Sequence, residues 1–318
     1  MIVVLTGGTG GAKFVEGLQR VVPAQQLTYI VNTGDDFEWW GLHISPDLDS
    51  ITYALAGLLS SERGWGIDED TFFCLQFMRE LGEPSWFQTG DRDLAVHLLR
   101  SRVLAEGRLL SEATATITAK LGINARILPM TDSPVETRIA TPDGELNFQE
   151  YFVKRHHQDP VKSVRLKGAA EAQPAPGVID GIRSARAVIV APSNPITSIG
   201  PILAVPGIRE ALRATSAKIV AISPIIGDTP VSGPAGALMA AQGFSVSIAG
   251  IAQAYADFLD ILVVDQRDAD AARKLNRPGL LVHCDNTIMR TADDKTRLAE
   301  AVLALLGEQN SGPASNLS

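Results

Sequence analysis

Cysteine is nearly absent: the 318 residues hold two, Cys74 and Cys284, and neither belongs to a C-x-x-C pair. A thiolate zinc site and a dithiol redox centre are therefore excluded as readings. Cys74 lies in the apolar stretch Thr71-Phe72-Phe73-Cys74-Leu75 and reads as a small buried hydrophobe. Aromatic residues are scarce too, at 6%, with only four tryptophans. There is no Lys/Arg-rich block, and the net charge of -8 argues against a duplex nucleic-acid partner. An anionic ligand stays compatible with that charge, because backbone N–H groups or a metal can hold phosphate locally. No apolar run reaches the length of a membrane span, and no basic segment followed by a long apolar stretch opens the chain. A cytoplasmic protein without membrane or nucleic-acid partners is the expectation. With 45% apolar residues the chain can bury a large core without staples.

What is present begins with a continuous apolar run, Ile2-Val3-Val4-Leu5, followed by Thr6-Gly7-Gly8-Thr9-Gly10-Gly11. A helical period then runs through Ala12, Phe14, Val15, Leu18 and Val21, and Leu27–Val31 reads as a second strand ending in Asn32-Thr33-Gly34-Asp35-Asp36. Strand, glycine turn, helix and strand make the opening of a doubly wound sheet. From Asp49 to about Leu121 helical spacing dominates, and strand and turn signals follow from Ala125 to Val153. Buried-strand patterns return at Ala187–Ala191, Lys218–Ile222, Ile261–Val264 and Gly279–Val282. These patterns predict a Rossmann-like, doubly wound, mainly parallel α/β sheet built from both ends of the chain. A largely helical lobe is expected to be inserted at about 50–170. The tail after Gly307, with its Asn, Ser, Gly and Pro, is expected to fray.

Three constellations carry chemistry. The loop Gly7, Gly8, Thr9, Gly10, Gly11, with Lys13 beside it, sits between strand and helix, where backbone N–H groups can cradle a phosphate. It lacks the Gly-Lys-Ser/Thr of a Walker loop, and a tight turn is its plainer reading. Asp35 and Asp36 close the second strand, and Asp47 and Asp49 follow shortly after. Four carboxylates near a phosphate loop suit a hard divalent cation, and Asp35 and Asp49 lead that set with Asp47 behind them. Turn-shaping by Asp35 and capping by Asp49 are the competing readings. The third is Ala191-Pro192-Ser193-Asn194-Pro195, where Ser193 and Asn194 end a strand and can hold a nucleotide. His97 reads as structural, the pair His156-His157 as solvent-facing, and each tryptophan as core before ring platform.

In order along the chain, Thr6–Lys13, Asn32–Asp36, Pro46–Ser50, Arg63–Gly66 and Gly90–Leu94 resemble one family. So do Asn147–Phe152, Ala191–Ile196, Ser198–Ile202, Ser223–Gly227 and Asp285–Met289. It is the family of 2-phospho-L-lactate transferases of coenzyme F-420 biosynthesis (CofD, called FbiA in actinobacteria). The resemblance implies a magnesium-dependent transfer from a GDP-linked small-acid donor to the terminal ribityl hydroxyl of the deazaflavin Fo, with release of GMP. Phospholactyl, phosphoenolpyruvyl and 3-phosphoglyceryl donors all occur in the family. It further implies Asp35 and Asp49 on magnesium, with Asp36 and Asp47 as further candidates. The glycine loop and the Ser193–Asn194 loop would hold the donor. Asn32, Asp36, Asp91 and Arg92 are candidate substrate contacts. Gln88-Thr89 departs from the family, which usually has an apolar residue ahead of Gly90. A sibling family of non-catalytic sugar-nucleotide-binding regulators is the alternative, and a dehydrogenase would rest on the glycine loop alone. Apolar segments of the lobe suit a homodimer seam and a core equally.

Overall fold

The β-branched runs of the sequence pair side by side in one all-parallel sheet. In the computed structural model, which describes residues 1–307, its strands are β1 (Ile2–Thr6), β2 (Leu27–Val31), β3 (Arg126–Pro129), β4 (Ala187–Val190), β5 (Lys218–Ile222), β6 (Ile261–Asp265) and β7 (Leu281–Asp285). Their order across the sheet is β3-β2-β1-β4-β5-β6-β7. The chain winds outward from β1 in one direction and from β4 in the other, so the winding reverses between these two neighbours. Ile2 lies opposite Leu27 on one side and Ala187 on the other.

Alternation along each strand feeds two cores. Val3 and Leu5 pack with Val188 and Val190 on one face of the sheet. Ile2 and Val4 pack with Ala187 and Ile189 on the other. Both faces are covered, which is why the strands read as continuous apolar runs rather than alternating ones.

Helix α1 (Gly8–Val21) covers the second face and turns Phe14, Val15 and Leu18 inward. Between β2 and β3 come α2 (Pro46–Leu55), α3 (Phe73–Glu80), α4 (Asp91–Ala105) and α5 (Leu110–Lys120). Strand β3 then returns the chain to the edge of the main sheet beside β2. Next follows a small antiparallel sheet of Glu136–Thr141, Gly144–Asn147 and Ser163–Lys167. Among the described residues no helix is long and apolar enough to cross a membrane. The tail expected to fray lies beyond them.

The C-terminal helix Ala292–Leu305 closes the second core against α1. Gly17 is what lets it approach: a Cβ there would sit 2.1 Å from the Lys295 carbonyl oxygen. Gly17→Val should therefore force the helices apart and cost about 2–3 kcal/mol, read as a lower urea midpoint at unchanged slope.

Candidate active site

Ligands of open α/β sheets bind beyond the carboxyl ends of the strands, where the winding reverses. Here the loops after β1 and β4 meet at that point. The Ser193 hydroxyl donates to the Gly7 carbonyl oxygen (2.7 Å) and accepts from the Gly7 N–H (3.3 Å). Close approach leaves no room for side chains: a Cβ on Gly10 would lie 2.3 Å from the Pro192 carbonyl oxygen, and one on Gly7 2.3 Å from Asp47 Oδ2. Gly11 is buried behind the loop, against Thr6 and Ser193. The first turn of α1 carries no acidic residue, so its N–H end stays positive toward the site. Lys13 lines the same space and has no acidic partner among the described residues.

The carboxylates come from two neighbouring segments. Asn32, fully buried at the end of β2, is a brace: its Nδ2 donates to Asp47 Oδ2 (2.9 Å) and to the Thr197 carbonyl (3.0 Å). Its Oδ1 accepts from the Gly34 N–H, which shapes the turn that carries Asp35. Asp35 and Asp47 are both buried. Burial, then repulsion from Asp47, holds the Asp35 carboxyl well above the usual range. Burial pushes Asp47 up to about 6 against the opposing hydrogen bond from Asn32. Asp35 Oδ1 is buried and has no hydrogen-bond partner. Asp36 turns toward the hairpin Phe37–Ile44 instead, accepting from Ser45 Oγ (2.7 Å) and facing His43 Nε2 at 3.0 Å.

Asp49 belongs to a second group. Arg100 grips both of its oxygens through Nη1 and Nη2, although this guanidinium is only 2% exposed. His97 stands between two carboxylates, with Nδ1 3.5 Å from Asp49 Oδ2 and Nε2 3.4 Å from Asp93 Oδ2. Tyr53 donates to Asp93 Oδ1 at 2.5 Å. Asp49, Asp93 and His97 each offer a ligand atom, all within 4.8 Å of one another, and as a buried group they can bind a metal ion. Sequence reading found Asp49 but passed over Asp93 and Arg100. The signal was available: Asp93, His97 and Arg100 are spaced four and three apart, which sets them on one face of α4.

All of this surrounds one cavity of about 790 Å³. Gly7, Gly8, Thr9, Gly10 and Lys13 form one wall with Ser193 and Asn194, and Asp35, Asp47 and Asp49 stand beside them. Loops after β5 and β7, with Ser223 and Thr287–Arg290, extend it on one side. Trp65, Trp86, Phe87, Phe148 and Phe152 supply its aromatic lining. Trp39 and Trp40 pack behind Trp86 in a ring cluster with Phe37. Gln88 lines the cavity, and Thr89 Oγ1 lies 3.3 Å from Asp93 Oδ2, so the departure at these positions touches the site directly. Asp91 and Arg92 lie outside the wall. The Asp91 carboxylate accepts from the N–H groups of Phe73 and Cys74 at the start of α3, and Arg92 donates to the Asp68 carbonyl. His97, read as structural from sequence, is held between Asp49 and Asp93 and lines the cavity. His156, assigned to solvent from sequence, is exposed and also borders the cavity.

The family model of the 2-phospho-L-lactate transferase CofD matches residues 2–302. A 2-phospho-L-lactate transferase of Methanosarcina mazei is 41% identical over 302 residues, covering 95% of this chain and 99% of that protein. The corresponding enzyme of Methanocaldococcus jannaschii is 42% identical, covering 96% and 98%. A phosphoenolpyruvate transferase of Streptomyces coelicolor is 41% identical, again covering 96% and 98%. In fold, the chain matches a crystal structure of a upf0052 family member from Bacillus halodurans with a TM-score of 0.65 at 18% identity, covering 95% of this chain and 98% of that one. With the identity sustained over nearly the whole length and the motifs gathered around one cavity, the chain belongs to the CofD family of 2-phospho-L-lactate transferases.

Proposed function

We propose that this chain transfers a phospholactyl-type group from a GDP-linked donor to the terminal ribityl hydroxyl of Fo, in the biosynthesis of coenzyme F-420. The observation that carries the reading is a buried, uncompensated carboxylate pair, Asp35 and Asp47, beside a helix N-terminus at the point where the sheet reverses. The acyl part of the donor is phospholactyl, phosphoenolpyruvyl or 3-phosphoglyceryl; relatives of nearly equal identity carry names for the first two.

The residues suit magnesium. The donors are hard oxygens, one oxygen of Asp35 lacks a partner, and burying two adjacent carboxylates without a cation is unfavourable. Asp35 leads the proposed ligand set with Asp47 beside it, and Asp49, whose two oxygens Arg100 holds, would join by sharing one of them. Magnesium bound there would neutralise the diphosphate oxygens and the charge gathering on the departing phosphate. The chain's own groups do the rest. N–H groups of Gly8–Gly11 and the Lys13 ammonium hold the diphosphate, and Ser193 and Asn194 hold the nucleoside side. The aromatic wall receives the deazaflavin ring. The Fo hydroxyl oxygen then bonds to the distal phosphorus as the bond to the GMP oxygen breaks, and the hydroxyl proton is released. Alignment is the main demand on the protein.

Purified protein given Fo, magnesium and each GDP-linked donor should yield a Fo adduct and GMP, seen by mass. Chelator should stop the reaction, and Asp35→Asn should slow it about 100-fold or more. If Fo neither binds nor reacts, the nucleotide-binding regulator becomes the better reading.

The Asp47 shift sets a pH dependence in metal-free protein. Its folded pKa of about 6 lies above the unfolded value near 3.8. Stability from this group is thus full below about pH 4 and is lost as pH rises to 6, by up to about 3 kcal/mol. Urea unfolding in chelator should show that loss in wild type relative to Asp47→Asn, and magnesium should restore stability at pH 7.5 in wild type alone.

A further inference from the structure

One segment of the cavity lining, which contributes Phe152, Val153 and His156, has strained backbone. Glu150–Lys154 is a single π-helical turn, closed by the Arg155 N–H on the Glu150 carbonyl (2.9 Å). Such turns recur at functional sites. It is followed by two consecutive non-glycine residues in the left-handed region, His156 at φ 51° and His157 at φ 46°. Side chains rarely adopt that conformation, and it persists only where the surroundings enforce it.

The enforcing contacts are visible. The His157 N–H donates to the carbonyl of the buried Tyr151 (2.8 Å). The His157 ring stacks on Phe152 (centroids 5.6 Å, 17°), and Phe152 stacks in turn on Phe148 (5.5 Å, 6°). The segment also bridges the cavity. At one end the Lys154 ammonium lies 5.7 Å from the Trp86 ring centroid. At the other the Phe152 ring edge abuts Gly233, where a Cβ would come within 3.8 Å. His157 is thus consumed by holding the strap together, whereas His156 makes no hydrogen bond or ion pair among the described residues and borders the cavity.

Four basic residues line this cavity: Lys13, His97, His156 and Arg290. Lys13 stands beside the phosphate loop, His97 is enclosed by Asp49 and Asp93, and Arg290 lies on the far loop after β7. Of the four, His156 alone comes from the segment that carries Phe152.

We infer that His156 is a specificity-determining residue for the acceptor, its imidazole hydrogen-bonding the polar edge of a flat heterocycle received by the aromatic part of the cavity lining. The inference rests on the transferase reading above, since that reading supplies a deazaflavin, whose pyrimidinedione edge both donates and accepts hydrogen bonds. The left-handed backbone at both histidines keeps His157 on the stack and leaves His156 at the border of the cavity.

His156→Gly tests this without breaking the strap, because glycine accepts the left-handed backbone. Fo is titrated by fluorescence into protein without donor, and KM values for Fo and for the GDP-linked donor are measured separately. The variant should keep the wild-type melting temperature or exceed it, hold its donor KM within about twofold, and lose about tenfold in Fo affinity and Fo KM. His156→Asn, polar and tolerant of positive φ, should recover part of that loss. Wild-type Fo affinity in His156→Gly would overturn the inference, and so would a large drop in melting temperature or equal losses for donor and acceptor. If wild-type protein turns over Fo while His156→Gly matches it, only this inference fails; if wild type does not bind Fo at all, the transferase reading fails with it.

Discussion

One small contact holds the site together: the Ser193 hydroxyl bonded in both directions to the Gly7 peptide, across 186 residues of chain. It fastens the loop after β1 to the loop after β4 at the place where the sheet reverses. Everything nearby is built to that spacing. Gly7 lies flush against Asp47, Gly10 against Pro192, and the N-terminus of α1 is left facing the open cavity. The tight seam also explains why neither loop tolerates bulk: a side chain at either glycine would meet an oxygen atom at well under van der Waals distance.

The seam concentrates negative charge in an unusual way. Four buried aspartates, Asp35, Asp47, Asp49 and Asp93, line one cavity. Two of them are compensated within the protein, Asp49 by Arg100 and Asp93 by Tyr53 and His97. The other two are not, and burial raises the proton affinity of both. A buried charge left unpaired costs stability. This fold keeps such a pair next to the positive N-terminal end of α1 and Lys13. The compensated group then acts as a rigid base: with Arg100, His97 and Tyr53 all committed, Asp49 has little freedom to swing. The site thus pairs a firm, compensated half with an uncompensated one.

Much of this was legible in the chain itself. Unbroken runs such as Ile2–Leu5 and Ile261–Val264 announce strands covered on both faces, because only a parallel sheet between helix layers buries every side chain of a strand. Glycines between the first strand and helix mark a loop of close approach, since the packing of Gly7 on Asp47 and Gly10 on Pro192 demands them. The ordered motifs identify the family. Local pattern could not say which polar residues face the cavity. Asn32 and Asp91 look like ligands in one dimension, yet one braces Asp47 and the other caps α3. Arg100 looks like a surface charge on a helix, yet it is the buried counterion of Asp49. The pair His156-His157 reads as solvated in a polar run, and only the fold shows His157 stacked on Phe152 and His156 bordering the cavity. Periodicity and turn chemistry act between neighbours and are written in sequence; which charge meets which, and what a side chain faces, depends on elements brought together from distant parts of the chain, and that was decided by packing.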